Sequence, residues 1–264
     1  MAVITNAGHV VESNYIGYRR TWRGRIISTF LNPVLFLVGM GFVLGSMVDR
    51  GAGEAELPIP FLTFVATGLL AATAMQTGFG EGAWPVMAGI KWRKTFDSVL
   101  ATPVTVADLI NGMLIWGAIH LSFTIGVYAA VAVIVGAIEP LPALVAVVPA
   151  VLGGVAFQAT ATAITSRIED ETGLTTMFRF GIIPMFLFSG TFFPVSQLPD
   201  FLEPVAMATP LYHAVELVRK LALPEVGSPV VSSLPLWVHL GYLVTMTVVA
   251  WLLAIRFLQA RLQK

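Results

Sequence analysis

The chain has 264 residues, of which 56% are hydrophobic and only 11% charged, whereas soluble domains carry about 25% charged residues. Its 15 basic and 15 acidic side chains leave no formal net charge, which argues against nucleic-acid binding through bulk charge. The absence of cysteine excludes disulfides, thiolate metal sites and cysteine nucleophiles. This composition indicates an integral membrane protein.

Six apolar runs are long enough to cross a bilayer core about 30 Å thick, which takes roughly 20 helical residues. Because lipid offers no partner for unpaired backbone groups, we expect each run to be a helix. The predicted spans are 26–48, 59–80, 104–138, 141–165, 174–193 and 234–255. Asp108 and Asn111 lie in the first turns of the long third span, so we expect this part of the helix to extend beyond the membrane. The runs predict an all-α integral membrane protein with a single transmembrane domain over residues 1–264.

The orientation of the spans follows from the distribution of Lys and Arg, which are enriched in cytoplasmic loops. Most of them fall on one side if all six spans are present: Arg19, Arg20, Arg23, Arg25, Lys91, Arg93, Lys94, Arg167, Arg179, Arg256, Arg261 and Lys264. The other side holds Arg50, Arg219 and Lys220. We therefore predict that both termini are cytosolic.

Ahead of the first predicted span, an amphipathic stretch combines aromatic and basic residues. Val10, Val11, Asn14, Tyr15, Tyr18 and Trp22 fall on one helical face, and Arg19, Arg20 and Arg23 fall largely elsewhere. Basic residues with Tyr and Trp at the apolar edge are typical of a helix lying in the cytosolic membrane interface. The alternative is a basic flank of the first span with anchoring aromatic residues.

The loop between the second and third spans, Lys91 to Leu100, predicts a short amphipathic helix. Its apolar residues Trp92, Phe96, Val99 and Leu100 share one face, and Pro103 breaks the helix afterwards. Two interpretations stay open, namely a membrane anchor and a docking helix that transmits force from a cytosolic partner.

Between the last two spans, a long outer segment from Pro194 to Ser233 is rich in apolar residues and interrupted by proline. A helical stretch is predicted from Leu211 to Leu221. The segment either re-enters the outer leaflet, where protein must shield its irregular backbone, or forms an amphipathic cap on the surface. Within the third span, His120 is either a functional group or a neutral side chain that hydrogen-bonds a neighbouring helix.

The sequence lacks the motifs of several enzyme classes. It has no G-x-x-x-x-G-K-[ST] phosphate loop, no H-E-x-x-H pair and no EF-hand pattern. The acidic run Glu169-Asp170-Glu171 is interpreted as a solvated cap and not as a metal site. We therefore expect no catalytic residue, cofactor or metal in this chain, and energy for transport must come from a partner or an ion gradient.

Taken together, several segments resemble the membrane subunit of bacterial type-2 ABC exporters. They are Tyr18–Gly24, Phe30–Phe36, Gly68–Ala72, Leu100–Pro103, Phe188–Pro194, Leu198–Pro199 and Pro210–His213. Within these exporters, the chain is most similar to the branch that includes the nodulation-factor (lipo-oligosaccharide) exporter permease and the daunorubicin-type permeases. The order and spacing of the segments cover nearly the whole chain.

This resemblance implies a homodimer or heterodimer of permease subunits in the bacterial cytoplasmic membrane, paired with two cytosolic ATPase subunits that bind ATP and Mg. It implies an amphipathic cargo, such as a glycolipid, a lipid-linked oligosaccharide or a hydrophobic drug, and contact with lipids but not with nucleic acid. The implied interface helix contains Tyr15, Tyr18, Arg19, Arg20, Trp22 and Arg23. The implied ATPase-coupling residues are Lys91, Trp92, Arg93, Lys94, Phe96 and Asp97, with Trp92 and Phe96 as anchors, and the implied outer gate contains Phe193, Pro194, Pro199, Pro210 and His213.

Three other functions stay open on the residues alone. The first is an ion-gradient-driven secondary transporter. Against it, the two halves of the chain show no obvious internal repeat, and His120 alone is weak support for a proton relay. The second is an ABC-driven importer subunit. The third is a membrane scaffold or interfacial enzyme with His213 and Glu216 in its site.

Overall fold

A computed structural model describes residues 2–39, 58–227 and 230–262, and within the first helix it describes the side chains of residues 6–23 and 34–36. The described part is helical and contains no strand. The helices are α1 Ala2–Phe36, α2 Phe61–Met87, α3 Thr95–Leu100, α4 Val106–Ile134, α5 Pro140–Thr165, α6 Glu171–Met177, α7 Ile183–Phe188, α8 Glu203–Met207, α9 Pro210–Ala222 and α10 Leu236–Leu262. Short π-helical turns at Ala88–Trp92 and Phe178–Ile182 and a 3-10 turn at Val195–Gln197 lie between these helices.

Four helical stretches of the described chain are long and apolar enough to cross a membrane: Phe61–Trp92, Val106–Ile134, Pro140–Thr165 and Leu236–Leu262. They match the second, third, fourth and sixth predicted spans. Residues 40–48 of the first predicted span lie outside the described residues, and the fifth ends at Phe188 instead of residue 193. The helices fit a multi-pass membrane protein, while the six-span count and the orientation stay predictions.

Close packing of α2 against α5 forms the centre of the bundle. A side chain added at Gly78 would overlap the backbone carbonyl of Gly154, and one added at Gly82 would overlap that of Gln158. The two backbones are therefore in direct contact, as small residues allow between membrane helices. The Gln158 amide donates a hydrogen bond to the carbonyl of Met113 on α4 at 2.9 Å, which brings a third helix into this core.

The predicted interface helix is not separated from the start of the first predicted span, because α1 is continuous from Ala2 to Phe36. Its first half lies along α4, with Val10 over Gly112 and Tyr18 edge-on to Trp116 and His120. Later residues of α1 contact later residues of α4, so the two helices run in the same direction over this stretch. The interfacial helix and the basic flank of the first span therefore both stay open as interpretations of this stretch.

In the outer segment, α9 lies inside the bundle and not on its surface. All its residues from Leu211 to Arg219 are buried, and it packs against α2, α5 and α10. A side chain added at Gly153, near the middle of α5, would meet Ala214 of α9 at 2.9 Å. The helix predicted from Leu211 to Leu221 is present, and its burial excludes a cap exposed on the surface.

Candidate functional site

The predicted docking helix is divided into two parts. Pro85 has no N–H to donate to the preceding turn, and α2 continues after it through the π-helical turn Ala88–Trp92. Lys94 then adopts a left-handed conformation (φ 50°) before α3 begins at Thr95. Lys91 and Trp92 therefore end α2, and this corrects the prediction of one amphipathic helix from Lys91 to Leu100.

Of the two predicted anchors, Phe96 is buried and Trp92 is not. The ring of Phe96 lies directly on Gly89, where any added side chain would collide with it, and it belongs to a cluster with Val86, Leu109 and other residues of α1, α4, α5 and α10. Trp92 is 49% exposed and stacks on Trp84 with ring centroids 6.4 Å apart. The short helix α3 is thus held to the bundle mainly through Phe96.

Lys91 and Trp92 bind the loop between α5 and α6. The Lys91 ammonium lies 3.0 Å from the Asp170 carboxylate and donates to the carbonyl of Glu169 at 3.1 Å. The indole N–H of Trp92 donates to the Glu171 carboxylate at 2.6 Å. The acidic run was interpreted from sequence as a solvated cap, but Asp170 and Glu171 connect the two loops.

The end of α10 holds the same loop from the other side. One guanidinium nitrogen of Arg261 donates to the carbonyls of Thr165, Ser166 and Ile168 at 3.3, 3.1 and 2.7 Å. These carbonyls belong to the last residue of α5 and to the loop directly after it, where acceptors lack partners within the helix and a cation is favourable. The loop therefore lies between the ends of α2 and α10.

The remaining predicted coupling residues Arg93, Lys94 and Asp97 are exposed. Within the described ranges, none of the three forms an ion pair. They lie at and just before the start of α3, whose residue Phe96 is buried. Charged side chains on a short anchored helix could contact a second protein without first breaking an internal bond.

The predicted interface-helix residues divide into two groups. Tyr15 and Tyr18 contact the indole of Trp116, with ring centroids 6.3 and 5.7 Å apart. The other four, Arg19, Arg20, Trp22 and Arg23, are exposed. Beside Tyr18, the imidazole of His120 lies 3.1 Å from the Glu81 carboxylate, so His120 connects α4 to α2.

The predicted outer-gate residues lie together around the start of α9. Phe193 packs against the small cluster Val195, Leu198, Ala206 and Tyr212, and Pro194 is buried whereas Pro199 is exposed. Pro210 occupies the first turn of α9, capped by the Thr209 hydroxyl, which also contacts the Ser189 hydroxyl at 2.8 Å. Gly190 takes a left-handed φ of 85°, which glycine adopts without strain.

His213 forms a pair that the sequence did not predict. Its Nδ1 lies 2.9 Å from the Nδ1 of His239 on α10, and its ring stacks on Tyr242 at 4.0 Å. Tyr242 also donates to the carbonyl of Ala208. Burial lowers the pKa of His213, because the charged imidazolium loses solvation there.

Arg219 is a second buried group that sequence reasoning missed. It is 1% exposed, its guanidinium lies 3.8 Å from the ring centroid of Phe64, and it donates to the carbonyl of Phe64 at 3.2 Å and to the Thr67 hydroxyl at 3.4 Å. Burial lowers the pKa of Arg219 to about 10, and the nearby Glu216 carboxylate opposes this shift. The guanidinium joins α9 to the first turns of α2, although sequence analysis counted it only as an outer-side charge.

Among residues 2–39, 58–227 and 230–262, no three His, Asp or Glu side chains come together as metal ligands. His213 and Glu216 do not converge on a shared atom: the Glu216 carboxylate accepts the backbone N–H of Ser232 at 2.7 Å. Burial raises the pKa of Glu216, and that hydrogen bond opposes the shift. This arrangement gives no support to an enzyme site at these two residues.

Comparison with known proteins gives one family over most of the chain. A family of membrane domains described as ABC-2 type transporter matches residues 7–223. Nodulation protein J of Rhizobium meliloti (strain 1021) is 29% identical over 96% of this chain and 92% of its own length. The protein of the same name from Sinorhizobium fredii (strain NBRC 101917 / NGR234) is 30% identical over 96% and 92%, and that of Rhizobium leguminosarum bv. viciae is 28% identical over 97% and 94%. The chain therefore belongs to the ABC-2 type transporter family, as a multi-pass membrane subunit of an ABC exporter.

Proposed function

We propose that a separate cytosolic ATPase drives this permease through the surface formed by Arg93, Lys94 and Asp97. The exposed charges lie on and beside α3, and the ring of Phe96 on α3 is buried against Gly89, in the π-helical turn that continues α2. A force on α3 would thus reach α2 directly, because packed elements shift as rigid bodies. This anchored, charged helix is the observation that carries the proposal.

The same proposal includes the permease partners and cargo. Two permease subunits, identical or different, pair with two ATPase subunits in the bacterial cytoplasmic membrane, and ATP and Mg bind to the ATPase. The cargo is amphipathic, of the glycolipid, lipid-linked oligosaccharide or hydrophobic drug class, and the similarity to nodulation protein J over nearly the full length supports this choice. The segment from Phe193 to His213 closes the outer end of the path, and the burial of α9 supports a re-entrant position.

The test is co-purification of the detergent-solubilised chain with its candidate ATPase, followed by ATP hydrolysis in lipid nanodiscs. We expect a complex with two copies of each subunit. The variant Arg93→Glu with Lys94→Glu should uncouple hydrolysis from export while membrane insertion stays normal. Arg256→Glu is the matched control, since Arg256 is also exposed but lies on α10. Normal export by the double variant would refute the assignment of this surface.

A second function has one observation in its favour. His120 and Glu81 lie 3.1 Å apart on two helices that could cross a membrane, as a proton relay in a gradient-driven transporter would require. Flux that needs a proton gradient, persists without an ATPase and disappears in His120→Gln would establish secondary transport instead. Flux that needs the ATPase and survives in His120→Gln would leave the pair a structural link between α4 and α2.

A further inference from the structure

A cavity of about 810 Å³ lies between the first half of α1, the end of α2, α3 and the start of α4. Ligand pockets in proteins usually measure about 300–1,000 Å³. The cavity is formed within one subunit and is about half open to its surroundings. Its size is enough for several sugar-sized rings.

The two long walls of this cavity differ in chemistry. The wall from α1 is small and polar, with Ser13, Gly17 and Thr21 spaced four residues apart and Asn14 beside them. The facing wall is aromatic, and it includes Trp84, Trp92 and Phe96. Trp84 and Trp92 are nearly parallel, with an interplanar angle of 19°, and both are more than two-fifths exposed. Flat aromatic faces opposite hydroxyl and amide groups suit a ligand that has an apolar face and polar edges.

The charges of the lining indicate a ligand without net charge. Among the residues that the structure describes, the lining contains one carboxylate, that of Glu81, and one guanidinium, that of Arg93. His9 also lines the cavity, and its imidazole lies 3.7 Å from the carboxylate of Glu12, which does not line it. The side chains of Ser13, Asn14 and Ser98 form no hydrogen bond to any described residue. Their donors and acceptors remain available to hydroxyl groups of a ligand.

We infer that this cavity binds neutral sugar rings of an amphipathic glycan-bearing molecule. The C–H face of a pyranose ring packs on the indoles of Trp84 and Trp92, and its hydroxyl groups bind the polar wall of α1. This inference rests on the proposed function, since it names the part of the cargo that the permease recognises. The inferred sugar site lies beside α3. A bound sugar would therefore lie between α1 and the surface proposed to contact the ATPase.

The experiment uses the full chain alone in phosphatidylcholine nanodiscs, without an ATPase, and follows tryptophan fluorescence. Dodecyl maltoside below its micellar concentration supplies a sugar with an alkyl chain, maltotriose supplies sugar alone, and dodecyl octaethylene glycol supplies the chain alone. We expect saturable quenching or a spectral shift with dodecyl maltoside and none with the glycol. A response to maltotriose would identify free sugar as sufficient, and its absence would identify a glycolipid. An equal response to the glycol, or no response to either sugar compound, would overturn the inference.

Glycine substitutions provide a matched pair of variants. Side chains added at Gly17 and at Gly8 would both meet open space, but only Gly17 lines the cavity. Gly17→Leu should weaken dodecyl maltoside binding at least about tenfold by filling the cavity, a change equal to about 1.4 kcal/mol, whereas Gly8→Leu should bind normally. Equal binding by both variants would place the sugar elsewhere. Because no ATPase is present, failure of the proposed ATPase coupling cannot affect this result.

Discussion

The contact between α2 and α5 allows a sharp test, because α2 contains two glycines in opposite environments. A methyl group at Gly78 would overlap the backbone carbonyl of Gly154, whereas one at Gly80 would meet open space. Both alanine variants gain the same helix propensity, about 1 kcal/mol. The difference between them therefore isolates the overlap, which no side-chain rotation can relieve.

Overpacking of this kind costs typically about 1–3 kcal/mol. For a chain of this size, 1 kcal/mol corresponds to a change of roughly 2–4 °C in the melting temperature. We expect Gly78→Ala to unfold about 2–12 °C below Gly80→Ala when both are heated in the same detergent and followed by circular dichroism. Equal melting temperatures would refute the direct backbone contact between α2 and α5.

Three further predictions concern polar contacts. Arg219→Ala should lower the free energy of unfolding by at least about 1.5–3 kcal/mol, because buried hydrogen bonds to a charged group are lost; exposed Arg179→Ala should not. Thermal stability should fall as the pH drops from 7.5 to 5.5, and less so in His213→Gln. Lys91→Asp should uncouple ATP hydrolysis from export, and adding Asp170→Lys should restore the coupling. The free energy of unfolding should change by less than about 1 kcal/mol in Lys91→Asp, since the Lys91–Asp170 pair is exposed.

The sign of the pH effect follows from the environment of His213. Its pKa is lowered in the folded chain, so the unfolded chain binds more protons between the two pKa values. The stability is fully present above the unfolded value of about 6.5 and is lost as the pH falls through the lower folded value. A second proton would also place two like charges at His213 and His239, 2.9 Å apart. Tyr212, Glu216 and Tyr242 lie around this pair. The raised pKa of Glu216 acts in the opposite sense on acidification, so the comparison of His213→Gln with the unsubstituted chain isolates the contribution of the histidine. A melting temperature independent of pH would contradict the prediction.

The sequence predicted the long apolar helices well, because continuous apolar runs of this length have few alternatives. It placed their ends less well. The helix predicted to stop at residue 80 continues to Trp92, and the one predicted to stop at residue 255 continues to Leu262. Hydropathy falls at these points, but the backbone stays helical, since Lys91 and Arg261 find acceptors in the loop after α5.

The sequence pattern named candidate residues but did not indicate the contacts that connect them to the rest of the chain. The pattern correctly indicated that Phe96 packs inward, since an apolar face is a local property. Contacts such as Lys91 with Asp170, or Arg219 with Phe64, join residues far apart in the chain. They depend on tertiary packing that no local pattern specifies. The glycine pair Gly78 and Gly82 was also overlooked, because helical spacing alone does not reveal which neighbour a glycine meets.

The helix α2 provides the physical link between the proposed ATPase surface and the outer segment. Phe96 lies on Gly89 at one end, and Arg219 binds the Phe64 carbonyl at the other, about 38 Å away along the helix. Between them, the direct backbone contact at Gly78 leaves little room for compression. A displacement of α3 should thus move α9 unless α2 bends.

The place where α2 can bend is Pro85 and the π-helical turn that follows it. Pro85→Ala would restore a backbone donor and stiffen the helix. A larger part of any displacement of α3 would then be transmitted to the outer segment. We expect more export per ATP hydrolysed in the reconstituted complex, with assembly unchanged. Gly80→Ala is the control, since it also adds helix propensity to α2 but lies away from the bend. If Pro85→Ala leaves the ratio of export to hydrolysis unchanged, force does not pass through the end of α2.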